Sequence, residues 1–314
     1  MIILARPTRT GDDAPRRALG WLFVFVVAWT VVEAIAAPLL GKLSPYQVVW
    51  MRYGIHLVVV ALVWGRRDPA SLMRTGRPVL QMFRSGLMLA MPASWAIAVA
   101  GGMDARAVMA VFWIAPLLIV GFAVMLRQER VHAARWSTAG VAVGAAWLAS
   151  GAAHLPVPAE WPLPLAMAGT FALYVVLTRS LATEPTPVNL FYTGAGVFVL
   201  LTPAMPAVWS AVSAPDVLRM VAVGTIGVVA LYALDRMAGA APVGRTAPAH
   251  AIQPALLVLG GAAGTAGRWE VAGATTIVAL VAALWVAGAV RSRTAEPTPD
   301  RGIAAASRRH GASR

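Results

Sequence analysis

From Trp21 to Leu40 the chain runs through twenty residues with one charged side chain, Glu33, and comparable runs recur along most of its length. A hydrocarbon core about 30 Å thick takes roughly 20 helical residues to cross, and lipid forces each crossing segment to satisfy its own backbone hydrogen bonds. Repeated runs of this length therefore select membrane-spanning helices. Composition agrees: 59% of residues are hydrophobic and only 12% are charged, with a mean hydropathy of +0.71. A soluble domain carries about twice that share of charge. Disorder, collagen, a coiled coil and a disulfide-stapled secreted domain are excluded. The chain has no cysteine, so it forms no disulfide, thiolate nucleophile or thiolate metal site.

The runs predict an all-α integral membrane protein of ten transmembrane helices, arranged as two inverted five-helix repeats. Spans are expected at 19–40, 46–64, 80–100, 105–126 and 134–150, then at 162–180, 187–209, 217–237, 243–264 and 271–290. This divides the chain into an N-terminal tail (1–18), a first repeat (19–150), a loop (151–161), a second repeat (162–290) and a tail (291–314). That last stretch, rich in Arg, Pro and Ser without apolar periodicity, is expected to be disordered. Between the third and fourth spans, Gly101-Gly102-Met103-Asp104 predicts a tight hairpin.

A net charge of +13 and a pI near 11.5 would suggest nucleic acid if taken alone. The distribution argues otherwise. With the N-terminus inside, 21 of the 26 cations fall in inside segments, among them Arg66, Arg67, Arg74, Arg77 and Arg84 in one stretch. Only Lys42, Arg106, Arg219 and Arg268 fall outside, and Arg52 lies within a span. Cytoplasmic loops carry the Lys/Arg excess. The expectation is a multi-pass protein of a bacterial inner (plasma) membrane with both termini cytoplasmic, partnered by lipid and not by nucleic acid. Arg16-Arg17, the apolar run and Ala34-Ile35-Ala36 imitate a signal peptide, but Glu33 and Pro38 favour an uncleaved first span.

A shift of 138 positions lays Ile114-Ala115-Pro116-Leu117-Leu118 over Ile252-Gln253-Pro254-Ala255-Leu256, and Ala100-Gly101 over Ala238-Gly239. Trp136 to Gly140 then meets Trp269 to Gly273 once about five residues are dropped from the second copy. Five spans per copy is an odd number, so the copies would sit oppositely in the membrane, as transporter halves do when they rock about a site at mid-depth.

The block from Ile114 through Pro116, Gln128-Glu129 and Trp136 to Gly144, with the second-span start Ser44-Pro45-Tyr46-Gln47-Val48-Val49-Trp50-Met51-Arg52-Tyr53, resembles the EamA family of the drug/metabolite transporter superfamily. The resemblance covers about residues 19–290 and is strongest in the first half; the second lacks a clear Gly-Glu before Trp269. It implies a ten-helix secondary carrier with a central cavity between repeats, usually an exporter of small metabolites.

An ionisable group at bilayer depth costs about 2.5–3.5 kcal/mol on insertion scales, so each one is a candidate site. Glu33 and Arg52 are expected at matching depth in adjacent helices, with His56 one turn beyond Arg52 on its face. Two readings stand: a fixed Glu33–Arg52 pair that locks the helices, or a pair that meets a charged substrate or carries a coupling proton. His56 is either a proton carrier or an inter-helix hydrogen bond. His250 and Gln253 sit beside Pro248 and Pro254, where a helix break would bare carbonyls to a cavity. Trp29, Trp95, Trp113, Tyr174 and Tyr232 fall inside spans rather than at their edges, where they line a pocket or simply pack. Asp235 and Arg236 are expected to snorkel to water. Gly140 and Gly144 form a GxxxG that serves close packing or a homodimer seam.

No HEXXH, GxSxG or Walker P-loop is present, and the 13 acidic residues are scattered. These features argue against an enzyme and against a resident metal or cofactor. The function expected is secondary transport of a small metabolite or drug-like solute by alternating access, with the proton as candidate coupling ion. The alternative is a non-transporting membrane receptor or scaffold.

Overall fold

The computed structural model describes residues 14–126, 128–149 and 160–253. All regular structure among the described residues is helical. In order come α1 (Ala14–Leu40), α2 (Pro45–Trp64), α3 (Pro78–Ala100), α4 (Ala105–Phe112), α5 (Ala115–Met125), α6 (Ala133–Ala149), α7 (Pro162–Ser180) and α8 (Thr186–Leu201). A short α9 (Met205–Val208), a long α10 (Ala214–Ala240) and α11 (Val243–Thr246) follow, and α11 runs into a 3-10 turn at Ala247–Ala251. Seven stretches are long and apolar enough to cross a membrane, α4 and α5 counting together over Ala107–Met125. The first eight expected spans thus coincide with helices. The rest of the ninth span, the tenth, the Trp269 block, residues 1–13 and the C-terminal tail lie outside the described residues, while residues 14–18, expected in the N-terminal tail, form the first turn of α1.

Local chemistry sets the boundaries. Proline opens α2, α3 and α7, where its missing N–H costs nothing. Ser213 caps α10 by accepting from the Asp216 amide. Gly102, at φ 94°, supplies the left-handed residue of the α3–α4 hairpin. The expected continuous fourth span is broken at Trp113–Ile114, since Pro116 has no N–H to give the Phe112 carbonyl and its ring crowds that turn. The break expected near Pro248 takes the form of the 3-10 turn.

Contacts between links fix which ends lie together. Gly76 N–H donates to Glu184, Arg77 to the Ser180 carbonyl at 2.8 Å, and Gln128 to Ser180 Oγ at 2.6 Å. Arg179 reaches the Ala238 and Gly239 carbonyls at 2.7 and 2.9 Å, which neutralises the last turn of α10. The α2–α3, α5–α6, α7–α8 and α10–α11 links therefore share one end. At the other end, Gln47 clamps the amide and carbonyl of Ser210 at 2.9 and 2.8 Å, and Lys42 approaches Asp216 at 3.4 Å.

Advancing 138 positions carries α1 onto α7, α2 onto α8, α3 onto α10 and the start of α4 at Ala105 onto that of α11 at Val243. The packing follows the same exchange. The main neighbours are α1 with α10 and α3 with α7, then α2 with α10 and α3 with α8, while α2 packs on α8. Side chains such as Phe23, Val79 and Leu218 point outward. Such an apolar exterior suits lipid and would be a liability in water.

Candidate functional site

Five of the ten residues singled out from the sequence come together where α1, α2, α10 and the 3-10 turn meet. Glu33 accepts from Trp29 Nε1 at 2.5 Å, one helical turn back, and from Gln253 Nε2 at 3.3 Å. The Arg52 guanidinium lies 5.5 Å from the centroids of both the Trp29 and Tyr53 rings, within cation–π range. Its Nη2 is buried and has no hydrogen-bond partner among the described residues. Gly227 on α10 makes room for it, since a Cβ there would stand 3.0 Å from Arg52 Nε. His250 completes the wall, its ring edge-on to Phe25 at 5.6 Å and to Phe171 at 5.8 Å, with Nε2 likewise unpartnered.

The expected Glu33–Arg52 ion pair does not form. Glu33 takes neutral donors on both oxygens, while the aromatic faces of Trp29 and Tyr53 draw the guanidinium aside. His56 does not join Arg52 either: it leans on α8, with Nε2 3.0 Å from the Leu190 carbonyl. This is the inter-helix hydrogen bond that was one of its two readings. Tyr232 packs between Trp21 (5.7 Å, edge-on) and Trp64 (6.0 Å, stacked). Trp113 is buried against Phe112 beside the α4–α5 break, and Trp95 packs half-buried on the core.

Tyr174 belongs to a second polar centre that the sequence reading missed. Arg84, counted there among the inside-segment cations, is only 1% exposed. Its Nη1 donates to Thr178 Oγ1 at 3.1 Å and Tyr174 Oη at 3.5 Å. Its Nη2 donates to the Asn189 carbonyl at 2.7 Å, Thr193 Oγ1 at 3.0 Å and Gln81 Oε1 at 3.2 Å. Gln81 Nε2 donates to Asn189 Oδ1 at 2.6 Å, and Asn189 Nδ2 to Asp235 Oδ1 at 2.8 Å. Thr186 donates to the other Asp235 oxygen at 2.6 Å. Asp235 is buried rather than snorkelling, while its neighbour Arg236 is exposed. The signal was present: Gln81, Arg84 and Ser85 share one helix face, and Asn189 and Thr193 are four apart on another.

Helices of this length and hydropathy around buried charges define a polytopic membrane protein, all-helical in its described part. No family model matches the sequence, and neither does any curated protein. Solved structures do match, 28 chains in all. One, described simply as "Crystal structure of protein", superposes with a TM-score of 0.75 at 21% identity, covering 88% of this chain and 98% of its own. At that identity the likeness establishes the fold alone.

Proposed function

We propose that this chain is a secondary carrier of the drug/metabolite transporter type, moving a small metabolite or drug-like solute across a bacterial inner membrane by alternating access. One observation carries the reading: under the 138-residue exchange the inter-helix packing maps onto itself, α1–α10 becoming α7–α3 and α2–α10 becoming α8–α3. Two such halves, oppositely oriented, can rock about what lies between them. Between them lie Arg52, Glu33, Gln253 and His250. A buried guanidinium nitrogen without a partner among the described residues is costly unless something else offers it an acceptor. In this reading the polar end of the solute accepts from Arg52, and the Trp29, Phe25 and Phe171 faces hold its apolar part. Glu33 is the candidate proton carrier. The direction is outward, and both termini are cytoplasmic.

The test is flux. Purified protein is first screened for solutes that raise its melting temperature, because a ligand of the folded form stabilises it by mass action. Hits are then loaded into proteoliposomes. Wild-type protein moves at least one of them, and Arg52→Ala slows it at least about tenfold, the value of one charge-assisted hydrogen bond. Glu33→Gln abolishes the response to an imposed pH gradient while leaving counterflow. A scaffold or receptor gives no protein-dependent flux of any hit, and that result sinks the reading.

A further inference from the structure

The buried Arg84 cluster is cross-linked by side chains, and six of its hydrogen bonds join the first half of the chain to the second. Gln81, Arg84 and Ser85 come from α3, in the first half of the chain. Thr178 and Tyr174 come from α7, Asn189 and Thr193 from α8, and Asp235 from α10, all in the second half. Ser85 adds a hydroxyl donated to the Tyr192 carbonyl at 2.7 Å, and α8 comes close enough there that a Cβ on Gly196 would stand 2.4 Å from Ser85 Cβ. Among the described residues no carboxylate pairs with the guanidinium. Its charge is balanced through Asn189, whose carbonyl oxygen accepts from Arg84 and whose side-chain amide donates to Asp235.

A buried ionic network of this kind contributes little to stability compared with an apolar core of the same shape; its best-attested use is to fix one arrangement against another. Here the two arrangements would be relative positions of the halves. The cluster sits at the end of the molecule that carries the α2–α3 and α7–α8 links, six residues in from the start of α3 and five before the end of α10. The Arg52 site lies toward the opposite end. Among the described residues the cross-links there are fewer and nearer the helix ends: the Gln47–Ser210 clamp, the Lys42–Asp216 approach and Trp50 Nε1 donating to Thr202 Oγ1 at 3.0 Å.

From this asymmetry we infer that the Arg84 cluster is an interlock that closes the Arg52 site from the arginine-rich-loop side, and that opening on that side requires α3 to withdraw Arg84 from Thr178, Thr193 and Asn189. The inference rests on the carrier reading for its purpose but not for its test. The side chain of Met88, one turn deeper than Arg84 on the same buried stripe of α3, reports on the closure.

The chain has no cysteine of its own, so Met88→Cys gives a single thiol whose reaction with a membrane-impermeant maleimide can be timed in vesicles of either sidedness. With Arg84 intact the thiol labels slowly from the loop side. Adding Arg84→Gln speeds labelling from that side about tenfold or more, and Thr193→Val, nearly isosteric and lacking one acceptor, speeds it less in the same direction. A control thiol at Gly41→Cys, beyond the cluster's reach, keeps its rate. The interlock is overturned if folded, monodisperse variants label at the parental rate, or gain equally from both sides. Should Arg84→Gln fail to fold, Thr193→Val decides alone. Labelling that rises in a protein without flux keeps the interlock and removes the carrier; flux with unchanged labelling does the reverse.

Discussion

Glu129 shows how one side chain can hold two elements that the sequence keeps far apart. It follows α5 in a loop, yet its Oε2 accepts from the Gly244 amide at 3.0 Å, pinning the start of α11. Burial pushes its carboxyl above the ordinary value, against the opposing pull of the Gly244 and Val243 amides and the Arg135 and Arg179 charges. A carboxyl whose folded-state pKa is raised gives its full contribution to stability below its ordinary value of 4.5 and loses it as the pH climbs through the raised one. Glu129→Gln keeps an acceptor for Gly244 and removes the titration. Between pH 4.5 and neutrality the melting temperature of the variant should therefore gain on that of the wild type. Parallel curves would contradict this account of Glu129. The Gln128-Glu129 pair was visible in the sequence, but its partner was not, because nothing local announces a contact spanning 115 positions.

Among the helices, what could be read beforehand and what could not divides along a physical line. Apolar length and Pro/Gly punctuation are local, and they place α1 to α3, α7, the α8–α9 stretch and α10 to within about five residues. The direction in which a buried polar side chain points depends on neighbouring helices, so Glu33 and Arg52 were assigned to each other on depth alone while Trp29, Tyr53 and Gln253 claimed them instead. Arg84 was misread for a related reason: near a helix end an arginine usually reaches water, and only the hydroxyls and carbonyls of α7 and α8 show that this one does not. The close approach that makes this possible can be tested by itself. In lipid, helix association relies on packing and hydrogen bonds rather than on water exclusion. Gly196→Ala puts a Cβ into Ser85 and must part α3 from α8. We expect a loss of about 1–3 kcal/mol, read as a fall in melting temperature in detergent; an unchanged value would mean that the two helices are not held at this distance.

The molecule as a whole turns on the relative orientation of its halves, and the shift of 138 positions supplies a direct comparison. The α1–α2 link at 41–44 corresponds to the region of the α7–α8 link at 181–185. In the fold these links lie at opposite ends, the first beside Asp216 and the second beside Gly76 and Arg77. The halves can exchange roles across a membrane only if this opposition is also an opposition of compartments. That in turn requires α6 to cross, although its 17 residues fall short of the 19 or more in each of the seven longer apolar stretches. Seventeen residues sit at the lower limit for a crossing. Single thiols at Gly41→Cys and Thr183→Cys settle the point in intact cells. An impermeant maleimide should label the first directly and the second only after permeabilisation, with Arg67→Cys following Thr183→Cys because their links share an end. If Gly41→Cys and Thr183→Cys label from the same face, α6 does not cross. The two halves then run parallel, and the rocking motion proposed for the Arg52 site has no structural basis.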